Sequence, residues 1–247
     1  MQKSLNAETC WGFFCVWLFV TLVCSSSRTR LKLPDHRSAI VLITMNFSTS
    51  EKVILAFTAF YTTAFAVFFI GEVNIEFIAY VVVIIFIFVL LYGTLDKTKI
   101  PAPILAGISL WGLLHMLGGS VQTADGVLYA WKIFPFFDGG GEFYILKFDQ
   151  VVHAYLYAII ALLFLHLLRN YFGNKHSQLL IGFIAIMAAL GVSAVNEMLE
   201  FIAVLTVPDN GVGGYHNTLL DIVFNFAGAL FAVLGFYLWH HILERDA

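Results

Sequence analysis

Six long apolar stretches succeed one another from Val53 onward. They run over Val53–Ile70, Ile75–Tyr92, Pro101–Leu117, Val151–Leu168, Leu179–Leu205 and Leu219–Ile242. Each approaches or exceeds the ~20 residues a helix needs to cross a bilayer and is nearly free of charge inside, which favours a spanning helix over a buried soluble one. The last two are long enough to tilt or to extend beyond the hydrocarbon. Polar punctuation separates the stretches: "GEVNIE", "LDKTKIPAP", "LRNYFGNKHSQ" and "TVPDNGVGGYHN". No internal repeat is visible. The pattern predicts an all-α, polytopic membrane bundle of about six transmembrane helices over residues 45–247.

Composition agrees. The chain is 60% hydrophobic and 12% charged, with a mean hydropathy of +0.88, whereas soluble domains carry about 25% charged residues. A formal charge of −3 without a basic, aromatic-rich cluster excludes nucleic acid as a partner. Cys10, Cys15 and Cys24 lack any CxxC or Cys/His spacing, so neither a disulfide framework nor a zinc finger is expected. The apolar run Trp11–Cys24 is short for a span and has no A-x-A cleavage site. Polar "SSSRTRLKLPDHR" follows it, and Met45 opens "MNFSTSEKVILAF". Residues 1–44 therefore read as a poorly ordered extension ahead of a natural start; an extra membrane segment is the alternative.

Charge orients the helices. Lys52, Lys97, Lys99, Arg169, Lys175 and Arg245 fall on one side, and Arg28, Arg30, Lys32 and Arg37 agree with it. The first connection has Glu72 and Glu76, the last has Asp209, and neither carries Lys or Arg. The positive-inside rule then puts both core termini in the cytoplasm and the first, third and fifth connections outside. The third, roughly Gly118–Phe148, is long enough to carry structure of its own. Its "YAWKIFPFFDGGGEFY" suits an amphipathic interfacial segment. The three glycines lack the GK[ST] of a phosphate loop and read as a flexible turn.

With that orientation, polar residues on four spans reach one level. His115 lies near the outer end of the third span, and Asp149 and His153 at the outer start of the fourth. Glu197 and Glu200, near Ser193 and Asn196, are in the outer half of the fifth; Asp221 and Asn225 open the sixth. Asp149/His153 and Asp221/Asn225 are spaced i, i+4, and Glu197/Glu200 i, i+3, so each pair shares a helix face. Gly228, one turn beyond Asn225, suits a close helix approach. Charges in lipid cost ~2.5–3.5 kcal/mol each on insertion scales and so face the bundle interior or water. Simpler readings exist for each residue: Asp149 as a helix cap, Asp221 as a first-turn carboxylate, His115 as a packing histidine, Glu200 as a solvated interface residue. A shared site centred on His153, Glu197 and Asp221, with His115, Asp149, Glu200 and Asn225 as further binding groups, accounts for all of them together. Imidazole with carboxylates suits a divalent metal such as Zn, Mn or Fe, or acid–base catalysis. HExxH, the Glu-x-x-His pairs of di-iron bundles and GxSxG are all missing, so no reaction class is readable.

The ordered set "WGLLHMLGGS", "FDQVVHAYLYA", "SAVNEMLEF" and "NTLLDIVFNFAGAL" resembles the YjdF-type bacterial inner-membrane proteins, a branch of the VanZ-like group, from about Val53 to Trp239. The resemblance implies a multi-pass protein of the bacterial cytoplasmic membrane and, through the envelope-linked antibiotic resistance behind the VanZ name, a role at the cell envelope. It delivers no reaction. The last loop departs from the pattern, with "PDNGVGGYHN" where a longer acidic stretch is usual. Three functional expectations follow: an enzyme acting on a membrane lipid or lipid-linked envelope substrate, a transporter or small-molecule binding protein, and a structural protein whose polar cluster locks helices together.

Overall fold

The computed structural model describes residues 47–245, apart from 125, 142, 174–175 and 207–212. The expected extension at 1–44 and much of the last connection lie outside the described residues. Six helices carry the fold: α1 (Thr49–Gly71), α2 (Ile75–Thr98), α3 (Ala102–Ser120), α4 (Phe148–Phe172), α5 (Gln178–Thr206) and α6 (Tyr215–Arg245). All six contain a segment long and apolar enough to cross a membrane. Even the shortest, α3, extends ~28 Å at 1.5 Å per residue.

Local chemistry sets the ends. Ser48 and Glu51 form a capping box on α1, with the Glu51 carboxylate accepting from Ser48 N at 2.7 Å and the Ser48 hydroxyl accepting from Glu51 N at 3.3 Å. Asn74 caps α2 by accepting from Phe77 N at 3.2 Å. The helices run past the apolar stretches that announce them. α2 continues to Thr98 and stops where Lys99 turns left-handed, with φ 51°. α6 begins at Tyr215, one turn before Leu219. Hydropathy reports contact with lipid, whereas the helical hydrogen-bond ladder continues into the interface.

The connection between α3 and α4, expected as an amphipathic interfacial segment, forms two short antiparallel ribbons. β1 (Gln122–Thr123) pairs with β2 (Gly126–Val127), and after a 3-10 turn at Leu128–Ala130, β3 (Lys132–Asp138) pairs with β4 (Tyr144–Lys147). The glycine run makes the second turn: Gly140 and Gly141 have φ of 82° and 57°, where a side chain is disfavoured. β3 is exposed along its length and presents Phe134, Phe136 and Phe137.

Two apolar clusters hold the bundle. One joins α1, α2 and α3 through bulky side chains such as Phe69, Ile84, Phe88, Tyr92 and Met116, and reaches α4 at Leu163 and Leu167. The other joins α4, α5 and α6 around Ala161, Ala185, Ala189, Ala229 and Val233. α4 is the hub, packed on α3, α5 and α6, and its contact with α6 is the most extensive between helices. Gly228 explains that closeness, because a Cβ there would run into the Ala154 carbonyl of α4. Small residues at helix interfaces let backbones approach in this way.

Candidate functional site

The entrance to α4 is fixed first. Gln150, fully buried, accepts from Leu146 N (2.9 Å) and Lys147 N (3.1 Å) and donates to Tyr144 O (2.9 Å). It ties β4 to the helix and spans Leu146, whose φ of 86° is unusual for a branched residue. Gln150 thus does the capping that the sequence suggests for Asp149. Asp149 is left free to turn along the helix, and its Oδ1 lies 3.5 Å from His153 Nε2.

The close α4–α6 approach brings His153 to Asn225. His153 Nδ1 is 3.1 Å from Asn225 Oδ1, and Asn225 Nδ2 donates to Ser193 Oγ on α5 at 2.7 Å. Because the Asn225 amide is committed to Ser193, its oxygen faces the ring, so Nδ1 donates. Nε2 then either carries a second proton and pairs with Asp149, or offers its lone pair to a cation. A partner that fixes one ring nitrogen while freeing the other is the usual arrangement behind a metal-binding histidine.

Asp221 lies two turns along α6 and is fully buried, which corrects its expected place in the first turn. Its Oδ2 accepts from Asn217 Nδ2 at 2.7 Å, and Asn217 Oδ1 accepts from Lys147 Nζ at 2.6 Å. No protein donor reaches Asp221 Oδ1 or either oxygen of Glu197, a residue only 8% exposed, with good hydrogen-bond geometry, although the Asn196 amide lies near the Glu197 carboxylate. The neighbouring amide of Asn196 is engaged by Glu200 Oε1, at 2.8 Å. Among the described residues the other buried oxygen left unpaired is Gln178 Oε1, at the far start of α5.

These groups form two ligand sets that share one residue. Asp149, His153 and Asp221 bring one atom each within 4.8 Å of one another; Glu197, Glu200 and Asp221 do the same. Two buried carboxylates, Glu197 and Asp221, with Asp149 and Glu200 beside them half-buried, are neutralised either by protonation or by a bound cation. The mixed nitrogen and oxygen donors would suit Zn, Mn or Fe, and Asp221 is common to both sets.

A cavity of about 320 Å³ opens beside the cluster, lined by Asp149, His153, Glu200 and Asn217 on one side and by His115 and Tyr129 on the other. His115 belongs to neither ligand set. Its ring lies edge-on to Tyr80 at 4.7 Å and tilted against Trp111 at 5.4 Å, and its Nδ1 hydrogen-bonds the Tyr129 hydroxyl. The bundle thus brings His153, Glu197, Asp221, Asp149, Glu200 and Asn225 together, with His115 across the cavity. Sequence reasoning missed Asn217, although Asn217, Asp221 and Asn225 continue one i, i+4 series. Tyr129 gave no signal, since it arrives from the connection.

No curated protein and no solved structure matches the chain. A family described as "Predicted membrane protein (DUF2238)" matches residues 53–242, nearly the whole helical bundle and every residue of the cluster. The chain belongs to this family of multi-pass membrane proteins.

Proposed function

We propose that the protein is an enzyme of the bacterial cytoplasmic membrane. It acts through a divalent-metal site on the polar part of a membrane lipid or lipid-linked envelope compound. The observation that carries this reading is the trio of buried carboxylate oxygens, Glu197 Oε1, Glu197 Oε2 and Asp221 Oδ1, that no well-placed protein donor satisfies. Leaving such atoms unpaired costs ~1–3 kcal/mol each, a cost that a bound cation removes. Asp149, His153 and Asp221 hold the first ion. Glu197 and Glu200 would complete a second set around Asp221 or, with one ion bound at the first set, would serve as general bases beside it.

Charge distribution and the resemblance to YjdF-type and VanZ-like proteins support placing the cavity on the outer side. Between the cluster and the opposite end, Ala161, Phe164, Leu165, Ala185 and Val233 fill the space between α4, α5 and α6. That favours a one-sided site over a transport path.

Elemental analysis of the purified protein, prepared with zinc, manganese and iron in the medium, tests the proposal. Wild type should retain at least one equivalent of one of these metals, and His153→Ala and Asp221→Asn should lose it while eluting as folded protein. Metal-free wild type would remove the metal reading.

A further inference from the structure

An apolar cleft adjoins the polar cavity, and nothing above uses it. It lies between α2 and α5 with α4 as its floor, and encloses about 120 Å³. Leu90 and Leu91 form one wall, Val192 and Val195 the other, and Ile160 and Leu163 the floor. The lining contains no acidic or basic side chain. The hydroxyls of Thr94 and Thr98, also in the lining, bond back to Leu90 O (2.8 Å) and Thr94 O (3.0 Å) of their own helix. Away from Trp111, Tyr157 and Asn196 at its polar end, the cleft therefore offers an occupant no hydrogen bond, and apolar voids stay dry and accept hydrocarbon. Along α4 its wall runs from Leu156 to Leu167, ~16 Å at 1.5 Å per residue.

The cleft and the cavity meet. Trp111, Leu156 and Asn196 line both. At that border the surroundings change within one helical turn from aliphatic to the Asp149, His153 and Glu200 side of the cavity. An occupant long enough to fill the cleft must present its other end to those carboxylates. A polar end suited to cations held there is an oxyanion, because a metal ion bridges carboxylate and phosphate oxygens.

We infer that cleft and cavity form one binding site for a single-chain lipid phosphate, its hydrocarbon between α2 and α5 and its phosphate at the His153–Glu200 face. The placement of the head rests on the metal reading above; the placement of the chain rests on the cleft alone.

The test uses the full-length protein in detergent micelles with zinc or manganese. The probe is dodecyl phosphate carrying a diazirine at mid-chain, with cross-linked residues mapped by mass spectrometry. Labelling should concentrate at Leu90, Ile160 and Val195. Leu90→Trp and Val195→Trp, on opposite walls and both at half-buried positions, should each reduce it about tenfold without changing metal content. The same chain with a trimethylammonium head should label poorly.

Labelling that the tryptophans leave unchanged, or that is equally strong at the lipid-facing Phe60 and Val67 of α1, overturns the inference. Equal labelling by both heads overturns the assignment to a lipid phosphate. Phosphate-selective, tryptophan-sensitive labelling of a protein that holds no metal would sink the metal reading of the site and leave this one standing.

Discussion

Both three-helix halves bury polar side chains, and they treat them oppositely. Among the described residues of the α1–α3 half the buried polar groups are hydroxyls, each closed upon the backbone or a neighbour. Thr58 Oγ1 bonds Ile54 O at 2.8 Å and the Ser109 hydroxyl at 2.7 Å; Tyr61 donates to Ser109 O at 2.9 Å, and Thr62 to Thr58 O at 2.6 Å. In the α4–α6 half the buried groups include the carboxylates of Glu197 and Asp221 and the amides of Gln150, Asn217 and Asn225, beside a half-buried His153, and three carboxylate oxygens lack a well-placed protein donor. Satisfied hydroxyls join helices at little cost. Buried ionisable groups with unused acceptors weaken a fold, and on the proposed reading they are kept for what they bind. The packing follows the same division. Bulky rings, such as Phe69 against Phe77 at 4.8 Å, space the first half. Alanine and glycine draw the second half tight enough for side chains on three helices to meet.

The largest expected effect comes from undoing that tightness. At Gly228 an added Cβ meets rigid backbone, the Ala154 carbonyl, instead of a side chain that can swing away. Gly228→Ala should cost about 3 kcal/mol, and Gly228→Val should prevent assembly. At Gly93 in the first half an added Cβ finds nothing within 4 Å, so Gly93→Ala should stay within ~1 kcal/mol of wild type. Thermal unfolding in detergent separates the two. Equal melting temperatures would mean that the halves do not differ in packing.

Next in size is the effect of removing an unpaired carboxylate. With chelator present, Glu197→Met should stabilise the protein by ~1–3 kcal/mol, since two buried oxygens no longer lack donors. It should also reduce the metal-dependent gain in melting temperature to what the Asp149–His153–Asp221 set alone supplies. Thr62→Val in the other half should do neither. A lower melting temperature for Glu197→Met in chelator would make the carboxylate a structural lock and erase the contrast.

The bundle was legible in the sequence because bilayer thickness imposes a length that hydropathy reads directly. The cluster was half legible. The i, i+4 spacing of Asp149 with His153, and of Asp221 with Asn225, holds within one helix whatever the tertiary structure. The reach between helices depends on the approach at Gly228, which a one-dimensional pattern suggests without fixing. Hydropathy placed the start of the sixth span at Leu219, and that choice hid Asn217 and moved Asp221 into the first turn. Gln150 went unnoticed beside Asp149, because its role depends on the path of β4. The ribbons between α3 and α4 were not legible as strands, since an aromatic run suited to the interface does not specify its secondary structure, and Tyr129 came with them.

The smallest effect tests the first half on its own terms. The Thr58–Ser109 contact joins α1 to α3 through one shared proton, but Thr58 also has Ile54 O within reach. Loss of the contact therefore leaves the threonine satisfied and strands only Ser109. Side-chain hydrogen bonds between membrane helices average ~0.6 kcal/mol in double-mutant cycles. A cycle built from Thr58→Val and Ser109→Ala should return a coupling of that order, with metal content equal to wild type in all three variants. A coupling several times larger would show that hydroxyls lock α1 to α3 as strongly as packing does. A change in metal content would join this pair to the cluster across α4, and the two halves would then be one polar network.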